Sequence, residues 1–377
     1  MRLGIDVSTY DELCALSPHY FYEGEEIEPI RFLRDHNGVD AIRLRLWVDP
    51  HDEQGNPYGA GSNDLPCFLR MAKKFVGMGF AILLDFHYGD FWVDPAKQPC
   101  PKAWKGLPYE EVVKKLREYT LDTLLTIKKE GIPLYAIQIG NEITHGMVWP
   151  YGSLYAHEFS PDLGGDFEGL CGLLKAGTEA AREVYPESKL ILHLEHSASN
   201  DVQAPWLREV IGRGVDFDVI GQSYYPFWHG SLEGFAENNR LLQEEFHRPI
   251  WVVECGYCFA ASPYEKAEGL INLIDEDFVK QHSEQYVPYP LTPQGQADYL
   301  KAFLKTAKEV GVEEVYYWEP LWIKVKGAAW ASEAGRTYSG DESKPLFNEW
   351  ANETLFDFDG HANPGLDAFS KKTVDSL

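Results

Sequence analysis

The sequence predicts an α/β fold of one kind, a single (β/α)8 TIM barrel spanning residues 1–377. Three observations carry that expectation. Eight short apolar runs recur along the chain, amphipathic helical stretches lie between them, and most of the runs end in polar or aromatic side chains. Short apolar runs without polar alternation read as strands buried on both faces, and strand–helix alternation reads as parallel strands with crossover helices.

The runs are LGIDV (3–7), AIRLRLW (41–47), AILLDFH (81–87), AIQIGNE (136–142), KLILHLE (189–195), VIGQSYY (219–225), PIWVVEC (249–255) and EVYYWEP (314–320). Among the intervening stretches, 66–78, 109–130 and 293–310 carry helical periodicity. Eight such units close into a barrel. A doubly wound sheet also alternates β and α, but it would place a glycine-rich phosphate loop after the first strand. Here that strand runs into DVSTYDEL. No Gly/Ser linker, internal repeat or low-complexity tract divides the chain, so one domain is expected.

Composition narrows the partners. The 377 residues carry a formal charge of −25, which argues against nucleic acid, anionic membrane and polyanionic substrates. No run of about 18 apolar residues is present to span a bilayer. Aromatics make up 14%, including 11 Trp and 21 Tyr, which suggests a surface that stacks on something flat and neutral. The start MRLGIDVSTY has no apolar signal region. The six cysteines do not form a disulfide-scaffold pattern. A cytoplasmic monomer is expected, or a secreted one if the start is processed.

A barrel places its chemistry at the C-terminal ends of its strands. Two carboxylates stand out there, Glu142 at the end of strand 4 and Glu254 at the end of strand 7. Each follows a buried apolar run, where an unpaired carboxylate is costly. Facing carboxylates are the equipment of a glycosidase. Glu195 and Glu319 also end strands and are rivals, and Glu319, followed at once by Pro320, also reads as a rim brace. Asn141 is placed to hydrogen-bond a sugar 2-hydroxyl. Arg45 is expected to hold Glu254 ionised, and Tyr225 to assist by a hydrogen bond. His87, Asp90 and His193 complete the polar rim. Trp92, Trp228, Trp318 and Trp350 are candidate sugar platforms, at least two of them exposed in the cleft.

No metal ligand set is expected. Cys255-Gly-Tyr-Cys258 has no second pair, and Asp275-Glu276-Asp277 lacks calcium-loop alternation and reads as a solvated helix end.

The longer motifs resemble glycoside hydrolase family 53, the arabinogalactan endo-β-1,4-galactanases, nearly end to end. They are GIDVST (4–9), RLRLWVDP (43–50), NPYGAGSNDL (56–65), LLDFHYGDFWVDPAKQ (83–98), PKAW (101–104), QIGNEITHGMVWP (138–150), SYYPFWHGSL (223–232), WVVECGY (251–257), YYWEP (316–320) and EWANETLFDFDGHANPGL (349–366). The resemblance implies Glu142 as acid/base and Glu254 as nucleophile of a retaining enzyme. It implies β-1,4-galactan of type I arabinogalactan, a pectin side chain, as substrate. No cofactor is required by that chemistry. The loop at 256–292 departs from the calcium-binding loop of bacterial members, which leaves a structural calcium open. Alternatives are a barrel glycosidase of the same clan acting on another β-glycan or on imported galacto-oligosaccharides, and a non-catalytic carbohydrate-binding barrel.

Overall fold

The computed structural model describes residues 1–154, 166–261, 272–343 and 345–377. Its eight barrel strands are β1 (Arg2–Asp6), β2 (Ala41–Leu46), β3 (Ala81–Phe86), β4 (Ala136–Ile139), β5 (Lys189–Leu194), β6 (Val219–Tyr224), β7 (Ile250–Cys255) and β8 (Glu314–Trp318). Each pairs in parallel with its sequence neighbours, and β1 closes the barrel on β8 in the register Arg2↔Glu314 to Asp6↔Trp318. The crossover helices are α1 (Pro29–Asp35), α2 (Leu65–Gly77), α3 (Tyr109–Lys129), α4 (Phe167–Val184), α5 (Asn200–Gly212), α6 (Leu232–Phe246) and α7 (Pro293–Glu309), followed after β8 by α8 (Pro364–Ala368). All eight expected strands and the three expected helices are present.

The helix starts are specified locally. Asp64 accepts a hydrogen bond from the Cys67 amide at the head of α2, and Thr292 does the same for Gly295 at α7. Such a cap satisfies one of the amides that a helix start leaves without a partner. No helix among the described residues is long and apolar enough to cross a membrane.

Side-chain alternation sorts the strands into an outer and an inner face. The outer residues pack under the helices. Inside, Ala41, Leu83, Ala136, Ile191, Val219, Trp251, Val253 and Tyr316 form a separate apolar cluster. Tyr316 fits because residue 4 is glycine: a Cβ there would lie 2.3 Å from the Tyr316 ring. One layer higher the same alternation brings Arg43, Asp85, Gln138 and His193 inward, so the barrel changes from apolar to ionic towards the strand C-termini.

The tail returns to the first unit. Asn37 Nδ2 donates to the carbonyls of Leu366 and Phe369 at 2.6 and 3.1 Å. In the loop after β7, Asp275 caps the helix Glu276–His282 by accepting from the Phe278 amide, and Glu276 and Asp277 are exposed. This agrees with the expected solvated helix end. Residues 262–271 of that loop lie outside the described residues.

Candidate active site

The barrel mouth opens into a cavity of about 490 Å³ whose walls include Glu142 and Glu254. Glu142 heads a short turn, Ile143–His145, and has φ +48°, in the left-handed region. A non-glycine residue held there costs about 1–3 kcal/mol and persists only where its surroundings fix it. The fixing contacts are present. Gln98 Nε2 donates to the carbonyl of Asn141 at 2.8 Å, and the Glu142 amide donates to His193 Nδ1 at 3.3 Å. That contact assigns the His193 proton to Nε2, which meets Ser223 Oγ at 2.8 Å. Ser223 in turn hydrogen-bonds the Glu142 carboxyl.

Glu254 reaches the cavity by a break in strand register. Trp251 and Val253 both point into the barrel, so strict alternation would turn Glu254 out towards the helices. The pairing of β7 with β8 shifts between Val252 and Cys255, and the pairing of β6 with β7 shifts between Gln222 and Ser223. Such an irregularity re-aims a side chain. Glu254 Oε1 then meets Arg43 Nη1 at 2.7 Å, and Tyr225 donates to Oε2 at 3.5 Å.

The expected role of Arg45 is corrected here. Arg45 Nη1 binds Glu319 Oε1 at 2.7 Å, and its guanidinium stacks 4.3 Å from the Trp92 ring centre. The cation on Glu254 is Arg43, which also binds Asp6 and Asp85 at 2.8 Å each and Asn141 Oδ1 at 2.9 Å. Arg43 and Arg45 are both inward residues of β2, and spacing alone does not tell them apart. Glu319 is a brace, as expected: its oxygens also accept from the Thr9 amide and hydroxyl at 3.0 and 2.6 Å.

The two carboxyls differ in their surroundings. Burial drives Glu142 well above the ordinary carboxylate range, and the negative charge of Glu254 adds to it. No cation pairs with Glu142 among the described residues. Burial also pushes Glu254 up, to about 7, while Arg43 pulls it down.

The remaining expected residues divide. His87 lines the cavity, with Nε2 2.9 Å from Asp85 Oδ2 and Nδ1 accepting from Trp47 Nε1 at 3.2 Å. Asn141 lines it too. His193 does not; it lies behind Asn141 and Glu142, and its Nδ1 holds the Glu142 amide. Asp90 is a second correction. It does not line the cavity, and it accepts from the Lys102 amide at 2.7 Å, holding the loop after β3. Its place in the sequence, between His87 and Trp92, suggested the cleft, but the loop turns it inward.

Trp92, Trp228, Trp318 and Trp350 all line the cavity. Trp228 is 40% exposed, Trp92 and Trp350 are part-exposed, and Trp318 is nearly buried. They form a row, with centroid separations of 6.0 Å from Trp228 to Trp350, 5.3 Å from Trp350 to Trp318 and 6.3 Å from Trp318 to Trp92. Trp330 extends it, 6.0 Å from Trp92 and nearly parallel. Trp330 was not among the expected residues. It comes from a loop beyond β8 and has no strand-end signal, as do Asp94 and Ala96 from the loop after β3.

An eight-stranded barrel with buried carboxyls in an aromatic cleft at its strand C-termini has the form of a glycoside hydrolase, and the comparisons with known proteins agree. The profile described as Glycosyl hydrolase family 53 matches residues 2–369. An endo-beta-1,4-galactanase from Bacillus subtilis (strain 168) is 33% identical, the match covering 88% of this chain and 76% of the relative. An arabinogalactan endo-beta-1,4-galactanase from Cellvibrio japonicus is 30% identical, covering 94% and 86%. The solved Ignisphaera aggregans GH53 catalytic domain superposes with a TM-score of 0.85 at 34% identity, covering 98% of this chain and 95% of that one. The protein is a glycoside hydrolase. The chain belongs to glycosyl hydrolase family 53.

Proposed function

We propose that this glycoside hydrolase is a retaining endo-β-1,4-galactanase acting on the β-1,4-galactan of type I arabinogalactan. One observation carries the mechanism: two glutamates share one cavity, one of them bound to Arg43 and the other with no cation paired to it among the described residues. The substrate reading is supported by the names of the Bacillus and Cellvibrio relatives.

In the first step the Glu142 carboxyl protonates the glycosidic oxygen while the Glu254 carboxylate attacks the anomeric carbon. The glycosidic bond breaks and a covalent glycosyl-enzyme forms. In the second step Glu142, now ionised, takes a proton from water as that water attacks the same carbon, and Glu254 leaves. The two inversions restore the β configuration. Both the proton donor and the nucleophile are side chains of the chain, so the proposed reaction requires no cofactor. Asn141, its amide oxygen held by Arg43 and its Nδ2 by the Val93 carbonyl at 3.1 Å, presents a fixed edge beside the acid.

The test is hydrolysis of galactan, xylan and mannan side by side, with proton NMR of the first product anomer. The expected result is galactan cleavage with β product formed first. Initial α product would exclude retention, and equal rates on xylan or mannan would exclude the galactan assignment. The carboxyl separation is expected at about 5–5.5 Å, against about 6.5–9.5 Å for an inverting pair.

A further inference from the structure

Glu195 directly follows β5, beside Glu142, and takes no part in the proposed reaction. It is 2% exposed, and its Oε2 accepts from Thr144 Oγ1 at 2.8 Å. Its other oxygen, Oε1, is buried with no hydrogen-bond partner among the described residues. Leaving a buried carboxyl oxygen unmet is costly. What stands in front of it is His196 Nε2, at 3.6 Å. His145, at the end of the turn that Glu142 begins, places a second imidazole there. One ligand atom from each of His145, Glu195 and His196 lies within 4.8 Å of the other two.

From these contacts we infer that His145, Glu195 and His196 form a binding site for a divalent transition-metal ion of the zinc type at the edge of the sugar-binding cleft. Two imidazoles and one carboxylate are a three-ligand set that leaves a coordination position open. Tetrahedral zinc with bonds of about 2.0–2.1 Å sets its ligands about 3.4 Å apart. The Glu195–His196 edge already matches this, and His145 closes the triangle by a small side-chain movement. The partner of Oε2 supplies what a metal-bound carboxylate needs, since Thr144 fixes the carboxylate plane and leaves Oε1 to the ion. Imidazole ligands favour zinc, copper and nickel over calcium and magnesium.

Glu195 and His196 line the cavity, so the bound ion faces the space a sugar ring would fill. Zinc and substrate are therefore expected to exclude one another. This competition rests on the galactanase reading, whereas metal binding itself does not.

The test is calorimetric titration of the chelator-treated full chain with Zn2+, with Ca2+ and Mg2+ as controls. One saturable Zn2+ equivalent is expected and no binding of Ca2+ or Mg2+. His145→Gln and Glu195→Gln are each expected to raise the Kd at least about 10-fold. Co2+ titration of the unaltered chain gives a second reading that does not depend on how the variants fold. Strong visible bands of a four- or five-coordinate site support the inference, and the pale spectrum of six-coordinate Co2+ overturns it. Absence of saturable Zn2+ binding, or an unchanged Kd in folded His145→Gln, also overturns it. In steady-state hydrolysis of galactan, Zn2+ should raise KM and leave kcat unchanged. A fall in kcat at constant KM would refute exclusion from the cleft, and failure to hydrolyse galactan would leave the calorimetric result to decide the metal site.

Discussion

Arg43 Nη1 lies 2.7 Å from Glu254 Oε1, and the same buried guanidinium binds Asp6 and Asp85. One cation thus holds three carboxylates and, through Asn141, the residue next to Glu142. Charge balance and the aim of both glutamates depend on it.

Removing Arg43 should therefore affect stability and activity together. Arg43→Ala leaves buried carboxylates unpaired, and breaking such a buried pair costs about 3–5 kcal/mol. Arg43→Lys keeps the charge but not the planar fork that serves several acceptors. Urea denaturation should show a large loss for the alanine variant and a smaller one for lysine, with kcat/KM falling in both. Arg45→Lys, whose partner is Glu319, should leave the titration of Glu254 in place. A larger shift of the acid limb in Arg45→Lys than in Arg43→Lys would contradict this assignment.

The roles of the two glutamates separate by leaving group. Glu254→Ala should abolish turnover of every substrate. Glu142→Ala should lose roughly 10²–10⁴-fold on galactan, the usual worth of a general acid, and much less on aryl galactosides whose leaving group needs no proton. Equal losses on the two substrate types would reverse or remove the assignment.

The pH profile follows from the same pair. Glu254 must be ionised and is pushed up to about 7, so kcat/KM should fall as pH drops through that range. Glu142 must be protonated and is driven well above its ordinary range, so the alkaline limb belongs to it. The limbs are properties of the pair, since the groups interact. Glu142→Gln assayed on an activated substrate should lose the alkaline limb and keep the acid one. Retention of the alkaline limb would assign it elsewhere.

Stability should also decline with rising pH. Glu353 is buried and pushed up to about 8 from 4.5. A carboxyl raised on folding contributes fully below its unfolded value, and that contribution is lost as pH rises through the folded value. The shift corresponds to about 3–5 kcal/mol between pH 5 and pH 9. Glu353→Gln keeps the shape without the charge, so its unfolding free energy should fall less over that interval. An identical slope in both proteins would show that Glu353 does not carry it.

Much of this architecture is legible in the sequence because it rests on local patterns. Eight apolar runs mark eight strands, and Glu142 follows its strand in a motif long enough to recognise. The failures have a common cause. Arg43 and Arg45 share a strand face, and only the third dimension decides which meets Glu254. Alternation alone would turn Glu254 outward, and the register shift that corrects it leaves no composition signal. Asp90 sits in a cleft-forming segment but turns to cap its own loop. Trp330 joins the aromatic row from a loop with no periodicity, and His145 and His196 meet only because the turn Ile143–His145 after β4 packs against β5.

The aromatic row sets where along a chain cleavage can occur. Trp228, Trp350, Trp318, Trp92 and Trp330 succeed one another along the cavity, and Trp228 presents the most open ring. Several faces in series let several sugar rings rest at once, and each contact gains apolar area without charge, which suits a neutral glycan on a chain of net charge −25. Trp228→Ala removes the outermost face. The loss should be about 1 kcal/mol per stacked ring, roughly a five-fold rise in KM for long galactan, with kcat on short activated substrates little changed. Early products from long galactan should be a spread of oligomers, shifted in length by the substitution. Release of galactose or one fixed short product from the chain end would instead mean that the row is interrupted, and the endo-acting reading would fall while the two-glutamate chemistry stood.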